Sequence, residues 1–430
     1  MRRTIGTITS AIAALALLAA CSSSGGTGGQ SPSPSDSAMP SFAADLNQQL
    51  TEVMKANAIP GAEVLVRTRD QGDFRTILGT SELGKDVPMT GGDSFRVGSN
   101  TKTMTSTVIL QLAQEGKLSL TDPISKFVDG VPKGDKITLT MLSEMRSGLF
   151  SYTFDKKFNE TIDKEPQKAW QPEELLEIAF SHKSTAAPGT EYDYCNTNIV
   201  LLGLVIEKVT GMSARDAFAE RIFTPLGLSK TFLPEATDSS LPDPHPQGYQ
   251  FGTNVETIDS YAVPKDQVPA ALDGTLKPLN YTDSNPSWAW TAGGAISTMD
   301  ELATYVEAMV DGKLLDAEYQ KIRLDSIQPL QPGAPVGYGL GIAQFTTNLY
   351  GHDGQLPGYS TFMARDAERG ITIVLGTNLS ASPVSGTNAA VVLAEVVIAN
   401  LYGASAVPGG DPAGGAGAES GSPSASPASS

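Results

Sequence analysis

The chain of 430 residues has little cysteine, little histidine and no surplus of positive charge. Its two cysteines, Cys21 and Cys195, lack the spacing of a metal site. Its three histidines, His182, His245 and His352, are too far apart for a His-x-x-x-His motif, so the sequence offers no metal centre. Lys and Arg number 30 against 47 Asp and Glu, a formal net charge of −17. No basic stripe interrupts this acidity, which argues against a nucleic-acid partner. The N-terminal apolar stretch, residues 5–18, is too short to span a bilayer as a helix. What is left is the composition of a globular protein, 40% hydrophobic and 18% charged.

That apolar stretch follows Arg2 and Arg3 and leads into Leu18-Ala19-Ala20-Cys21. A positive start, an apolar middle and small residues before a cleavage point make residues 1–20 a secretory signal peptide. The last four residues resemble the lipobox of bacterial lipoproteins. The resemblance implies cleavage before Cys21, lipidation of its thiol and an exported protein held at the outer face of the bacterial cell membrane. A plain secretory signal with an incidental cysteine is the alternative. If Cys21 carries lipid, Cys195 has no partner for an intramolecular disulfide. Residues 21–41, rich in Ser, Gly and Pro, read as a tether. Residues 404–430 are of low complexity and read as a disordered tail. Between them, residues 42–403 have the length of one large domain or two closely packed ones.

Within that region, strand candidates over residues 62–68 and 74–78 flank a turn and form a hairpin. Met104, Val108, Ile109, Leu112 and Ala113 recur at helical spacing, and Gly116 stops that helix. Helices are expected over residues 139–145, 172–180, 199–209 and 213–222, with Pro172 in a first turn and Ser213 as a cap. Residues 234–285 show weak periodicity and read as irregular. A helix over 297–310, strands over 338–345, 359–365 and 371–378, and a helix over 387–401 follow. Strands at both ends with helices between them predict an α/β fold of the α+β type. One antiparallel sheet is built from both ends of the region, flanked by helices, with a helical subdomain inserted.

Three short elements carry chemistry. Ser99 and Lys102 stand three residues apart at a helix start, hence on one face. A buried lysine loses its proton more readily and can take the proton of a serine, which attacks a carbonyl only once activated. The alternative is an N-capping serine with a solvated lysine. Tyr194-Cys195-Asn196 lies between a turn and a helix. There the tyrosine could share proton traffic, with its pKa lowered by the lysine cation, and Asn196 could hold Lys102 or a substrate amide. The alternative is a buried tyrosine with an asparagine cap, which explains this element better when it is taken alone. Gly351-His352-Asp353-Gly354-Gln355 offers small residues for close substrate approach, and His352 could meet a substrate carboxylate or join the proton relay. The alternative is a glycine-rich hairpin with a surface histidine.

In this order and spacing the three elements resemble the serine penicillin-recognising hydrolases of the class C β-lactamase type, which include D-alanyl-D-alanine carboxypeptidases and related esterases. Pro188-Gly189-Thr190, Pro225-Leu226-Gly227-Leu228, Ala292-Gly293-Gly294 and Gly339-Leu340-Gly341 share in the resemblance, which covers residues 42–402. It implies a β-lactamase/transpeptidase-like fold with the site between sheet and helical subdomain. It further implies Ser99 as nucleophile, with Lys102, Tyr194 and His352 as its catalytic partners. Asn196, Gly354 and Gln355 would line the substrate slot, with an oxyanion hole from the N–H groups of Ser99 and Gln355. No cofactor is implied. The expected activity is hydrolysis of small amides or esters through an acyl-enzyme, with a D-Ala-D-Ala end of a peptidoglycan stem peptide as first candidate. A β-lactamase, an esterase and a non-catalytic penicillin-sensing lipoprotein are the alternatives. His352 stands where class C β-lactamases carry lysine, which speaks against efficient lactam hydrolysis, and Gln355 is bulkier than the usual residue there.

Overall fold

The computed structural model describes residues 41–330 and 336–407. The residues read as signal peptide, Cys21 and nearly all of the segments read as tether and tail lie outside the described residues. Where the tail was expected to begin, Ala404–Ala406 forms one further 3₁₀ turn.

The elements that build the site are helices α1 (Ala43–Ala56), α2 (Thr101–Gln114), α3 (Leu139–Ser143), α4 (Lys156–Lys164), α5 (Pro172–Phe180), α6 (Asn196–Thr210), α7 (Met299–Val310) and α8 (Ala389–Tyr402). The strands are β1 (Gly61–Thr68), β2 (Gly72–Gly79), β3 (Gln328–Pro329), β4 (Gly337–Tyr338), β5 (Ala343–Thr346), β6 (Leu349–Leu356), β7 (Tyr359–Asp366) and β8 (Ile371–Thr377). They form one antiparallel sheet in the order β2-β1-β8-β7-β6-β5-β4-β3. The hairpin from the N-terminal portion docks on β8, where Val64 pairs with Leu375. The two ends of the chain thus share one sheet, as the alternation of elements predicted.

Successive strand residues face opposite sides of a sheet, and the contacts here sort the helices accordingly. Ser360 on β7 accepts from Ala390 N of α8, and α8 packs beside α1. The next residue, Thr361, turns the other way and donates to Val97 O just ahead of α2. On that same side Gly376 lies against Met299 of α7. The terminal helices therefore cover one face, while α7, α2 and the helical block around α6 cover the other.

Helix α2 is buried on nearly every side, beyond the single stripe its periodicity indicates. Its threonines make this tolerable by bonding back to carbonyls: Thr101 to Gly98 O, Thr103 to Asn100 O and Thr107 to Thr103 O, each at 2.7 Å. The strand expected over residues 338–345 is split into β4 and β5. Gly341 turns between them at φ +64°, where a Cβ would lie 2.0 Å from Ser106 Oγ of α2. The helix expected from residue 297 begins at Met299, because Ile296–Ser297 pairs with Phe95–Arg96 and Thr298 caps the helix. Residues 234–285 are mostly irregular, as expected, with a short ladder between Tyr249–Gln250 and Leu279–Asn280. They close one end of the sheet: Tyr249 N donates to Asn378 O, and the Tyr359 hydroxyl donates to Pro246 O at 2.8 Å.

Candidate active site

Ser99 sits in a 3₁₀ turn, Gly98–Asn100, that feeds directly into α2. No side chain caps this turn, so Ser99 is not an N-cap. Gly98 makes the turn possible. It holds φ +54°, and a Cβ there would lie 2.5 Å from Gln355 N. From the other side, a Cβ on Gly354 would lie 2.0 Å from Val97 O. Two glycines thus let the backbone before the serine rest on the backbone of β6.

The ladder fixes where Gln355 N–H points. Leu356 and Tyr359 close a two-residue hairpin and exchange hydrogen bonds, so Gly354 bonds Thr361 while Gln355 faces away from β7. On that side β5 pairs only as far as Gly351. The Gln355 N–H is therefore directed to the open edge beside Gly98 and Ser99, the arrangement an oxyanion hole needs.

Lys102 is fully buried one turn into the helix. Its Nζ lies 2.9 Å from Ser99 Oγ, 2.7 Å from Asn196 Oδ1 and 2.7 Å from Ala292 O. Burial pulls its pKa from 10.5 to about 7, against the opposing pull of Asp353 and then Cys195. A neutral amine has two N–H groups and one lone pair. Asn196 Oδ1 and Ala292 O can only accept, so they take the two N–H groups. Ser99 is the one partner able to donate, and the lone pair is left for its proton. Asn196 is itself held: Nδ2 donates to Thr153 Oγ1 and N to Ser151 Oγ.

Tyr194 brings its ring to 4.9 Å from Lys102 Nζ, and its buried hydroxyl lies beside Ser99. Its pKa is raised well above 10 by burial, with Tyr338 and Asp353 adding to the rise and Ser99 opposing it. This corrects the expectation of a lowered pKa. A lysine that is itself half neutral near pH 7 cannot outweigh the loss of water around the phenol. Cys195 is buried, its thiol pushed up to about 11 by burial, and Sγ lies 3.3 Å from Leu149 O.

His352 is fully buried on β6, which corrects the surface alternative. Its Nδ1 faces Asp353 O and its Nε2 lies 3.0 Å from the Tyr338 hydroxyl. Burial, and secondarily the charge of Lys102, lowers its pKa to about 3. The structure thus brings Ser99, Lys102, Tyr194, Asn196, Gly354 and Gln355 to one place. It sets His352 behind Tyr194, ring centroids 6.3 Å apart, with both ring nitrogens engaged. Among the described residues no cluster of His, Cys, Asp and Glu has the makings of a metal site.

Two participants escaped the sequence. Ala292 contributes only a carbonyl, which no residue type announces, although Ala292-Gly293-Gly294 was already part of the resemblance. Tyr338 reaches His352 from a two-residue strand next to Gly339-Leu340-Gly341, which shares in the resemblance while the tyrosine does not.

The Beta-lactamase family model matches residues 46–398. PbpX of Bacillus subtilis (strain 168), named a penicillin-binding protein, is 24% identical over 342 residues, 78% of this chain and 74% of that protein. A D-stereospecific amidohydrolase from Streptomyces sp. superposes with a TM-score of 0.70 at 30% identity, covering 84% of this chain and 98% of the other. A D-amino acid amidase from Ochrobactrum anthropi SV3, complexed with D-phenylalanine, gives a TM-score of 0.68 at 27% identity, covering 84% and 99%. Fold, motif order and a match over most of the chain agree: the protein belongs to the beta-lactamase family of serine acyl-enzyme hydrolases.

Proposed function

We propose that the protein is a serine amidase that acts through an acyl-enzyme on short amides with a D-configured residue. The observation that carries the reading is the buried Lys102 Nζ 2.9 Å from Ser99 Oγ, with its other two partners, Asn196 Oδ1 and Ala292 O, able only to accept. In the first step Lys102 takes the Ser99 proton and Oγ attacks the amide carbon. The developing oxyanion is met by the N–H groups of Ser99 and Gln355. As the C–N bond breaks, the proton held by Lys102 passes to the leaving nitrogen. The phenol of Tyr194, which keeps its proton, stands beside that path as a donor. Water then attacks the ester, gives its proton to Lys102 and releases the acid, and Ser99 Oγ is reprotonated.

The D preference rests on the names of the two amidases above and on their agreement with this chain over more than four fifths of its length. The D-Ala-D-Ala carboxypeptidase expected from the resemblance stands second. A substrate ending in a free carboxylate is best served by a cation, and His352 is neutral with both nitrogens occupied. Export and lipid attachment at Cys21 are part of the same proposal. The measurement is the mass of the mature N-terminus from a bacterial host, and an unmodified Cys21 would remove that part of the proposal.

The test of the activity incubates the protein with D- and L-phenylalaninamide, an acyl-D-Ala-D-Ala peptide, a simple ester, a fluorescent penicillin and a fluorophosphonate. Ammonia release from the D-amide, tenfold or more over the L-amide, is expected, with fluorophosphonate labelling lost in Ser99→Ala. Labelling without amide turnover would hand the reading to an esterase, or to a carboxypeptidase if the peptide is cut. No adduct from either probe would leave a non-catalytic binding protein.

A further inference from the structure

His352 has the position of a working residue and none of the freedom of one. Its Nδ1 faces a backbone carbonyl, Asp353 O, and a carbonyl can only accept. Nδ1 therefore carries the proton, and in the neutral ring Nε2 is the acceptor. Tyr338 fills that acceptor with its hydroxyl at 3.0 Å, its own ring edge-on to the imidazole with centroids 5.6 Å apart. Burial raises the Tyr338 pKa far beyond the working range, so the phenol remains a donor. The same ring packs edge-on against Tyr194, at 6.2 Å, and tilted against Tyr192, at 5.7 Å. Tyr338 thus touches two of the three motif elements from a strand that belongs to neither.

We propose that Tyr338 is a positioning residue that sets leaving-group specificity. By occupying His352 Nε2 it keeps the imidazole out of anion binding, so the site takes substrates that end in a neutral amide rather than a free carboxylate. The inference rests on the amidase reading and adds to it the element that turns a carboxylate-ended peptide away. The groups around the imidazole are consistent. Tyr338 and Tyr194 face it with phenols that hold their protons, Lys102 lies on the α2 side, and the Asp353 carboxylate stands alongside, with Oδ1 3.9 Å from Nδ1 and Oδ2 accepting from Asn388 at 3.1 Å. In this setting the ring can gain a proton on Nε2 only if the Tyr338 hydroxyl gives up its donor role and its oxygen accepts instead, so that Nε2 stays occupied. With a phenylalanine at 338 the ring packing stays and Nε2 loses its hydroxyl partner; burial still disfavours a charged ring, so Nε2 takes a proton, and donates it to a carboxylate oxygen, only together with the substrate carboxylate that balances the charge.

The experiment uses the full chain and Tyr338→Phe with two substrates that differ only at their end, an acyl-D-Ala-D-Ala acid and its C-terminal amide, and in both it reads cleavage of the D-Ala–D-Ala bond, with D-alanine or D-alaninamide as the leaving group. Fluorophosphonate labelling is measured first in both proteins. Its absence in the wild type would mean that the hydrolase reading itself has failed. With labelling intact, Tyr338→Phe is expected to lower the amide-to-acid ratio of kcat/KM at least tenfold. The gain on the acid should come through KM and grow below pH 6. An unchanged ratio overturns the proposal. Should the variant fail to fold, the nitrogen NMR signals of His352 in the wild type decide. Nδ1–H with an acceptor Nε2 and no titration above pH 5 supports it, and a ring that titrates near pH 6.5 overturns it.

Discussion

The start of α2 and the strand β6 each bring one buried basic side chain to the same site, and burial acts on both in the same direction. On α2 it moves Lys102 from 10.5 to about 7, into the range where a base is useful. On β6 it moves His352 from 6.5 to about 3, out of that range. The starting values differ, so one physical effect equips the first region and silences the second. The partners complete the contrast. Lys102 meets one group that can give it a proton, whereas His352 meets a carbonyl and a phenol that together fix one neutral tautomer. A general base in this family can therefore be recognised by what its neighbours can donate as much as by its own type.

The strongest test of the contrast is Lys102→Ala. Its kcat/KM should fall by about 10²–10⁴-fold while circular dichroism shows a folded protein. Normal fluorophosphonate labelling in this variant would remove Lys102 as the base and with it the comparison. Next comes the joint between the two regions. Gly354→Ala forces a methyl toward Val97 O, 2.0 Å from the ideal Cβ, and should cost about 1–3 kcal/mol in urea unfolding. Activity should fall further than stability, because the Gln355 N–H moves away from Ser99.

The pH profile sharpens the α2 side. The active form of Lys102 is the deprotonated one, so kcat/KM should rise with pH through about 7 and level off above it. Each unit below the midpoint should lower the rate about tenfold. A profile that is flat from pH 5 to 8 would contradict a base with this pKa. The smallest effect is expected on the β6 side. His352→Gln should change amide turnover by less than about tenfold, since no proton passes through that ring. A loss as large as that of Lys102→Ala would place His352 in the proton path after all.

Much of this could be read from residues alone. The hairpin of β1 and β2, the split of the sheet between both ends of the chain and the Ser99–Lys102 face follow from alternation and from a three-residue spacing. The reading went astray where a property depends on packing. Tyr194 was expected to ionise more easily beside a lysine. It does the reverse, because burial removes the water that would solvate a phenolate. A continuous strand over residues 338–345 was expected from its apolar residues. Gly341 breaks it because α2 passes within contact, which no local pattern encodes.

Residue type and spacing by themselves determined which groups are available: a hydroxyl three residues before an amine, a phenol and a carboxamide flanking Cys195, and glycines on each side of His352. Tertiary structure decided their states. Ala292 lies 190 residues from Lys102 in sequence and gives it a carbonyl, and the phenol of Tyr338 takes the acceptor nitrogen of His352. Protonation depends on how much water remains around a group and on which neighbours can donate or only accept. Both are set by chain segments that come together only when the sheet and the helical block close on α2.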